Sequence, residues 1–184
     1  MSGRVFLLSP ANCGGSRARQ LLSPKASSSL ASQLRSPEGA PLGEIFAFVS
    51  ALYFRGKLDY ASRFARPPLG GGPVVGTGVH IITAGAGLRS PADRIGLADF
   101  QGFSDVEIRA DNPIFTEPLG LGVRRLLDLA GPRTEVVLLG SVASPKYVDV
   151  LLEVCRGQLL FPAEFVGRGD MSRGGLLLRS VAAN

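Results

Sequence analysis

The residues richest in chemistry lie near the end of the chain, in the stretch Phe161-Pro162-Ala163-Glu164-Phe165-Val166-Gly167-Arg168-Gly169-Asp170-Met171-Ser172-Arg173-Gly174-Gly175. It follows one apolar run, Gln158 to Phe161, and precedes another, Leu176 to Leu178. Glycine frees the backbone for close approach to a ligand, which makes Gly167 and Gly169 candidate binding positions. Arg168 and Arg173 offer planar forks suited to phosphate or carboxylate. Asp170, or Glu164, can orient a water or stabilise positive charge developing on a sugar. The competing reading is structural: an aspartate capping a helix and paired with neighbouring arginines. Arg168-Gly169-Asp170 also spells the integrin-binding tripeptide, which is read as coincidence because no signal-peptide pattern or disulfide framework accompanies it.

Three more loops carry polar groups after apolar runs. Val5 to Leu8 leads into Ser9-Pro10-Ala11-Asn12-Cys13-Gly14-Gly15-Ser16-Arg17. A glycine-containing loop between strand and helix can aim backbone N–H groups at an anion. Neither GxxxxGK[ST] nor GxGxxG is complete here, so a plain strand-to-helix turn stands beside that reading. Val79 to Thr83 leads into Ala84-Gly85-Ala86-Gly87-Leu88, and Glu135 to Leu139 into Gly140-Ser141-Val142-Ala143-Ser144-Pro145.

The elements that must position these loops are legible as periodic patterns. Gly43 to Arg66 is the longest helical pattern, with Ile45, Phe48, Val49 and Leu52 at helical spacing and Gly56 as the expected kink. Its aromatic stripe reads as core, although Tyr53, Arg55 and Lys57 can reach toward the site from the side. Ser23-Pro24 has N-cap chemistry for a short helix to Arg35, and Ser36 to Pro41 reads as a linker turn. Ser90-Pro91-Ala92-Asp93 also has helix-start chemistry. Val106 and Ile108 alternate with polar residues as in an edge strand. A helix is expected from Thr116 to Gly131-Pro132, another from Ser144-Pro145 to Gly157, and a fourth strand from Gln158 to Phe161.

Apolar strands alternating with amphipathic helices predict an α/β fold: one domain over 1–184 with a largely parallel open sheet of four or more strands flanked by helices. The strands Val5–Leu8, Val79–Thr83, Val136–Leu139 and Leu159–Phe161 should be neighbours. In such sheets ligands bind at the carboxyl edge, so the four loops should converge there. The predicted site is then Asp170 and Asn12 as catalytic groups. Ser9, Arg17, Gly85, Gly87, Ser141, Ser144, Gly167, Arg168, Gly169 and Arg173 would bind the ligand, with Cys13, Lys146 and Glu164 nearby.

Composition narrows the classes. A chain of 184 residues with 45% hydrophobic residues can bury a sizeable core. It contains no apolar run of about 18 residues, the length a membrane helix needs. The opening run is too short for a signal h-region and reads as a buried strand, so the expectation is a cytoplasmic protein without a membrane partner. Two cysteines, Cys13 and Cys155, make no disulfide framework. His80 is the only histidine, which excludes a multi-histidine metal site, and it sits in a strand pattern as a core residue. No pattern calls for a metal or a cofactor. The net charge of +5 rests mostly on arginine, Lys25, Lys57 and Lys146 being the only lysines. That excess fits a nucleotide or nucleic-acid partner and equally fits a GC-rich coding bias.

The first strand running into Ser9-Pro10-Ala11, the helix around Leu52 to Ala65, the strand into Ala84-Gly85-Ala86-Gly87-Leu88 and the terminal glycine–arginine loop together resemble a group of small bacterial α/β proteins. Those are related to the peroxide-stress DNA-binding family and to a domain of archaeosine-type RNA-modifying enzymes, and are similar in fold to uracil-DNA glycosylases. The likeness is one of element order over most of the chain. The water-activating motif and histidine-bearing loop of the glycosylases are not readable here. What the resemblance implies is a fold and a ligand class: nucleotide, nucleobase or nucleic acid. Three functions follow as expectations. One is a base- or nucleotide-handling enzyme acting at an N-glycosidic centre. The others are a non-catalytic nucleic-acid-binding or stress protein, and a partner-binding structural protein.

Overall fold

The structure is a computed structural model, and residues 3–183 are described; Met1, Ser2 and Asn184 of the expected unit lie outside them. In chain order the elements are β1 (Arg4–Leu8), α1 (Ser16–Leu22), α2 (Ser29–Arg35), β2 (Ala40–Pro41), α3 (Leu42–Phe64) and α4 (Gly72–Val75). Next come β3 (Val79–Thr83), β4 (Gly87–Arg89), β5 (Arg94–Ile95), α5 (Leu97–Asp105), α6 (Pro113–Ala130), β6 (Glu135–Leu139), α7 (Val148–Cys155), β7 (Leu159–Leu160) and α8 (Asp170–Ala182). Short 3-10 turns occupy Arg156–Gln158 and Ala163–Phe165.

The central sheet has five strands in the order β4-β3-β1-β6-β7. Strand β1 pairs in parallel with β3 and with β6, and β6 in parallel with β7. Only β4 runs antiparallel, against β3. The four predicted strands are therefore neighbours and parallel, and the α/β expectation of helices flanking a largely parallel sheet holds.

Alternation along the strands splits the core into two layers. Phe6 and Leu8 of β1, with Val79 and Ile81 of β3, pack against Ile45, Phe46, Phe54 and Ala61 of α3. Val5 and Leu7, with Ile82, Val136 and Leu138, pack against Leu119, Val123 and Leu126 of α6 and Leu151 of α7. Buried on both faces, β1 is apolar from Val5 to Leu8, as a central parallel strand must be. Helix α8 lies over α3, its Leu177 joining the first layer.

Several local expectations are corrected. The kink of α3 falls at Ala51 (φ 49°, ψ −129°), not at Gly56; Gly56 uses its missing Cβ for contact with α8. The loop after β3 does not start a helix: Gly85 (φ 84°) turns the chain back into β4. Ser90 to Asp93 is a turn held by Asp93, whose carboxylate accepts from Ser90 N–H at 3.2 Å and Arg89 Nε at 2.7 Å. Val106 and Ile108 lie outside any strand and pack into the core from an irregular segment. Helix α6 begins at Pro113, three residues earlier than Thr116, because Asn112 caps it by accepting from Ile114 N–H at 3.2 Å. Helix α2 starts only at Ser29, capped by Ser28. The fourth strand is shortened to Leu159–Leu160, and Leu176 to Leu178 belong to a helix.

Candidate functional site

From β1 the chain departs toward β3, while from β6 it departs outward to β7. The carboxyl ends of these two adjacent strands therefore open between loops that diverge, the arrangement that leaves a ligand crevice in open α/β sheets. A cleft of about 690 Å³ lies there. Ser9, Pro10, Ala11 and Asn12 come to it from β1, and Ser141, Ser144, Lys146 and Tyr147 from β6. Tyr53 and Lys57 of α3 and Asp170 of α8 complete its polar side, and Val49, Ile108 and Met171 add apolar surface.

At its base is a lysine taken out of water. Lys57 is 2% exposed, and its Nζ donates to the carbonyl oxygen of Ser9 and contacts Ser9 Oγ, each at 2.8 Å. The rings of Tyr53 and Phe54 flank it at 4.6 and 4.7 Å from Nζ to centroid. Burial disfavours the ammonium and pulls its pKa down to about 7, with Asp170 acting in the opposite sense. An amine that exchanges its proton near neutral pH is suited to general acid–base work.

The neighbours are fixed closely. Tyr147 is buried and donates its hydroxyl to the Ser141 carbonyl at 2.9 Å. Gly140 has no room for a side chain, since a Cβ there would lie 2.8 Å from both Ser9 Cβ and the Tyr147 hydroxyl. The Tyr53 hydroxyl is buried with no hydrogen-bond partner of good geometry. Burial pushes its pKa up to about 12, against the attraction of Arg173. A buried donor left unpaired beside a cleft costs roughly 1–3 kcal/mol.

The structure brings together Ser9, Asn12, Ser141, Ser144 and Asp170 of the predicted set. Asn12 turns the loop as well, its Oδ1 accepting from Gly14 N–H at 3.2 Å. Asp170 stands at the mouth with its side chain 68% exposed. Other predicted residues are placed elsewhere. Arg173 is buried, donating to the Phe165 carbonyl at 3.1 Å and to Asp170 Oδ1 at 3.4 Å. Arg168 donates to the Glu164 carbonyl at 2.7 Å and to Ser172 Oγ at 3.2 Å, and Arg17 to the Phe48 carbonyl at 3.2 Å. These arginines brace loops and do not line the cleft. Gly167 (φ 73°) and Gly169, the residue before α8, shape the entry to that helix. Gly85 and Gly87 belong to the β3–β4 hairpin, where a Cβ on Gly87 would meet the Pro118 carbonyl oxygen at 2.5 Å. The convergence of four loops thus reduces to three, joined from the side by α3.

Tyr147 was missed by sequence reasoning, and Lys57 was noticed only as a side approach. The signal for Lys57 was a lysine one turn after Tyr53 and Phe54 on the apolar stripe of the longest helix. Cys13 is buried beneath the loop, where desolvation pushes its thiol up to about 12. Among the described residues no three His, Cys, Asp or Glu stand together as a metal cluster, and no helix is long and apolar enough to cross a membrane.

Fold and cleft together define the class: an α/β protein with a polar cleft at the carboxyl edge of a largely parallel sheet, built around a buried lysine. No family model, no curated protein and no solved structure matches the chain.

Proposed function

We propose that the protein is an enzyme that binds a small polar ligand of the nucleobase or nucleotide class in this cleft and acts on it, with an N-glycosidic centre as the reacting position. The observation that carries the reading is Lys57, desolvated at the base of a cleft at the topological switch point. A strongly perturbed ionisable group in such a place is a functional-site signature. The cleft volume of about 690 Å³ suits a ligand of that size. Lys146 favours negative charge on it, and Asn12, Ser141 and Ser144 offer hydrogen bonds to base edges. Asp170 is placed to orient a water or to meet positive charge developing on a sugar.

Non-catalytic nucleic-acid binding keeps the net charge of +5 in its favour. Of the arginines it called on, Arg173 is buried and engaged within the protein, while Arg17 and Arg168 each donate to a backbone carbonyl. The partner-binding reading would be favoured by an exposed apolar patch around Phe46, Phe54 and Phe64; Phe46 and Phe54 are fully buried and Phe64 is partly buried.

The test is a panel of bases, nucleosides and nucleotides, followed by thermal melt and by mass-spectrometric turnover. At least one member should raise the Tm of the wild type and be consumed, and Asp170→Asn should retain the melt shift while losing turnover. If no member shifts the melt or is consumed, the proposal fails. Salt-steep binding to DNA or RNA that Asn12→Ala and Lys146→Ala leave unchanged would favour the nucleic-acid reading instead.

A further inference from the structure

We infer that Ser9 is a nucleophile and Lys57 its proton acceptor, a serine–lysine pair that performs acyl transfer on a small ester or amide carbonyl held in the cleft. This goes beyond the reading above by assigning a nucleophile and a second chemistry to the cleft, and it rests on the same cleft being the site.

The geometry is specific. Both hydrogen-bond partners of Lys57 Nζ belong to one residue, the Ser9 carbonyl oxygen and Oγ, each at 2.8 Å. Lys57 makes no salt bridge among the described residues, the only interaction of Asp170 at that range being with Arg173. Nζ donates to both oxygens; once the amine is neutral, its lone pair would accept the Ser9 O–H across the same 2.8 Å contact. Ser9 lines the cleft at the carboxyl end of β1, 6% exposed, and packs closely against Gly140, where a Cβ would lie 3.1 Å from its Oγ. The charged and titratable groups facing the pair are Tyr53 from α3, Lys146 and Tyr147 from the loop after β6, and Asp170, with Arg173 behind it, from α8. Burial leaves the amine able to take a proton near pH 7.

The step balances without a cofactor. Ser9 Oγ bonds to the acyl carbon as its proton passes to Lys57 Nζ, and the carbonyl electron pair moves to oxygen. The tetrahedral centre collapses, the bond to the leaving oxygen or nitrogen breaks, and Lys57 returns the proton to that atom. Water then repeats the sequence: it gives a proton to Lys57 and bonds to the acyl carbon, the bond to Oγ breaks, and Lys57 reprotonates Ser9. Asn12 and Lys146 line the same cleft and can donate to the developing oxyanion. Serine paired with a lysine base is an established variant of nucleophilic catalysis.

The experiment uses two serine-directed reagents of different shape, a fluorophosphonate and a β-lactone, on the full chain, with adduct mapping by mass spectrometry. Expected is a single adduct on Ser9, with a labelling rate that climbs through about pH 7. Lys57→Met should label at least about 100-fold more slowly, the scale of a lost general base. Because Lys57→Met can fail to fold, Ser9→Cys provides a second readout: its introduced thiol should alkylate rapidly with iodoacetamide at pH 7, beside a buried and unreactive Cys13. A folded wild type inert to both reagents from pH 6 to 9 would overturn the inference. So would equal labelling in folded Lys57→Met, or an introduced thiol in Ser9→Cys as inert as that of Cys13. Ser9→Ala is run against the nucleoside and nucleotide panel. Labelled Ser9 with a silent panel sinks the ligand class alone, and a retained melt shift without labelling sinks the nucleophile alone.

Discussion

Gly56 of α3 and Gly174 of α8 touch backbone to backbone: a Cβ on Gly56 would lie 2.8 Å from the Gly174 carbonyl oxygen. A Cβ on Gly174 would lie 2.9 Å from Tyr53 Cα and 3.0 Å from the Leu52 carbonyl oxygen. Both obstacles are main chain, so a methyl group must push the helices apart. Helix α3 carries Tyr53 and Lys57, and α8 carries Asp170, so this contact joins two of the elements that line the cleft. Gly56→Ala and Gly174→Ala should each lose about 1–3 kcal/mol in chemical denaturation, the usual cost of overpacking. That loss would outweigh the roughly 1 kcal/mol that alanine gains in helix propensity. Gly175→Ala is the control, since its Cβ would meet only the flexible end of Arg179 at 3.3 Å. Unchanged midpoints for both variants would contradict the close contact.

The buried amine makes stability depend on pH in a predictable direction. Lys57 holds a folded pKa of about 7 against an ordinary value of 10.5. Between those values the unfolded chain binds more protons, so the Lys57 contribution to stability rises with pH. Its cost is full below about pH 7 and is relieved as pH climbs. Cys13, Cys155, Tyr53 and Tyr147 have raised values and act in the opposite sense above about pH 9. The clean window is therefore pH 7 to 9, where urea titrations should show wild type gaining stability and Lys57→Met staying flat relative to it. Parallel curves for the two proteins would show that Lys57 is not desolvated.

His80 gives the acid counterpart. It is buried in β3, its Nε2 has no partner, and burial pulls its pKa down from 6.5 to about 4. The folded state stays neutral while the unfolded chain takes up a proton, so stability is lost as pH falls from 6.5 toward 4. The loss attributable to this group is on the order of 3 kcal/mol. His80→Phe should lose less over that interval when both are followed by denaturant midpoint. Equal losses would place the acid sensitivity elsewhere.

Both thiols should be silent in the folded protein. Burial pushes Cys13 up to about 12 and Cys155 up to about 11, and the thiolate is the reactive form. With a disulfide-exchange reagent at pH 8, native protein should release no signal on the time scale in which two free thiols react in denaturant. Rapid native reaction of Cys13 would mean that the loop over it opens.

The arginines show how far sequence reasoning about the site reached. Arg168 and Arg173 have the residue type of anion ligands, yet the turn at Ala163–Phe165 brings carbonyl oxygens to their guanidinium groups. Neither guanidinium lines the cleft, and spacing along the chain cannot reveal that each finds a carbonyl nearby. Asn12, Ser141, Ser144 and Asp170 were legible because they follow strands or precede a helix at one edge of a parallel sheet.

The sequence by itself determined the sheet. Runs such as Val5–Leu8 and Val136–Leu139 are apolar on every residue, which a strand can tolerate only when both of its faces are covered, and the helical spacings between them supply the covers. Tertiary structure alone decided which side chains share the cleft. Lys57 stands 48 positions from Ser9 in sequence and 2.8 Å from it in space, because β1 is central and α3 packs directly against it. Burial then changes what the lysine is, from a permanent surface charge to an amine poised near neutrality, and desolvation belongs to the folded environment rather than to the residue.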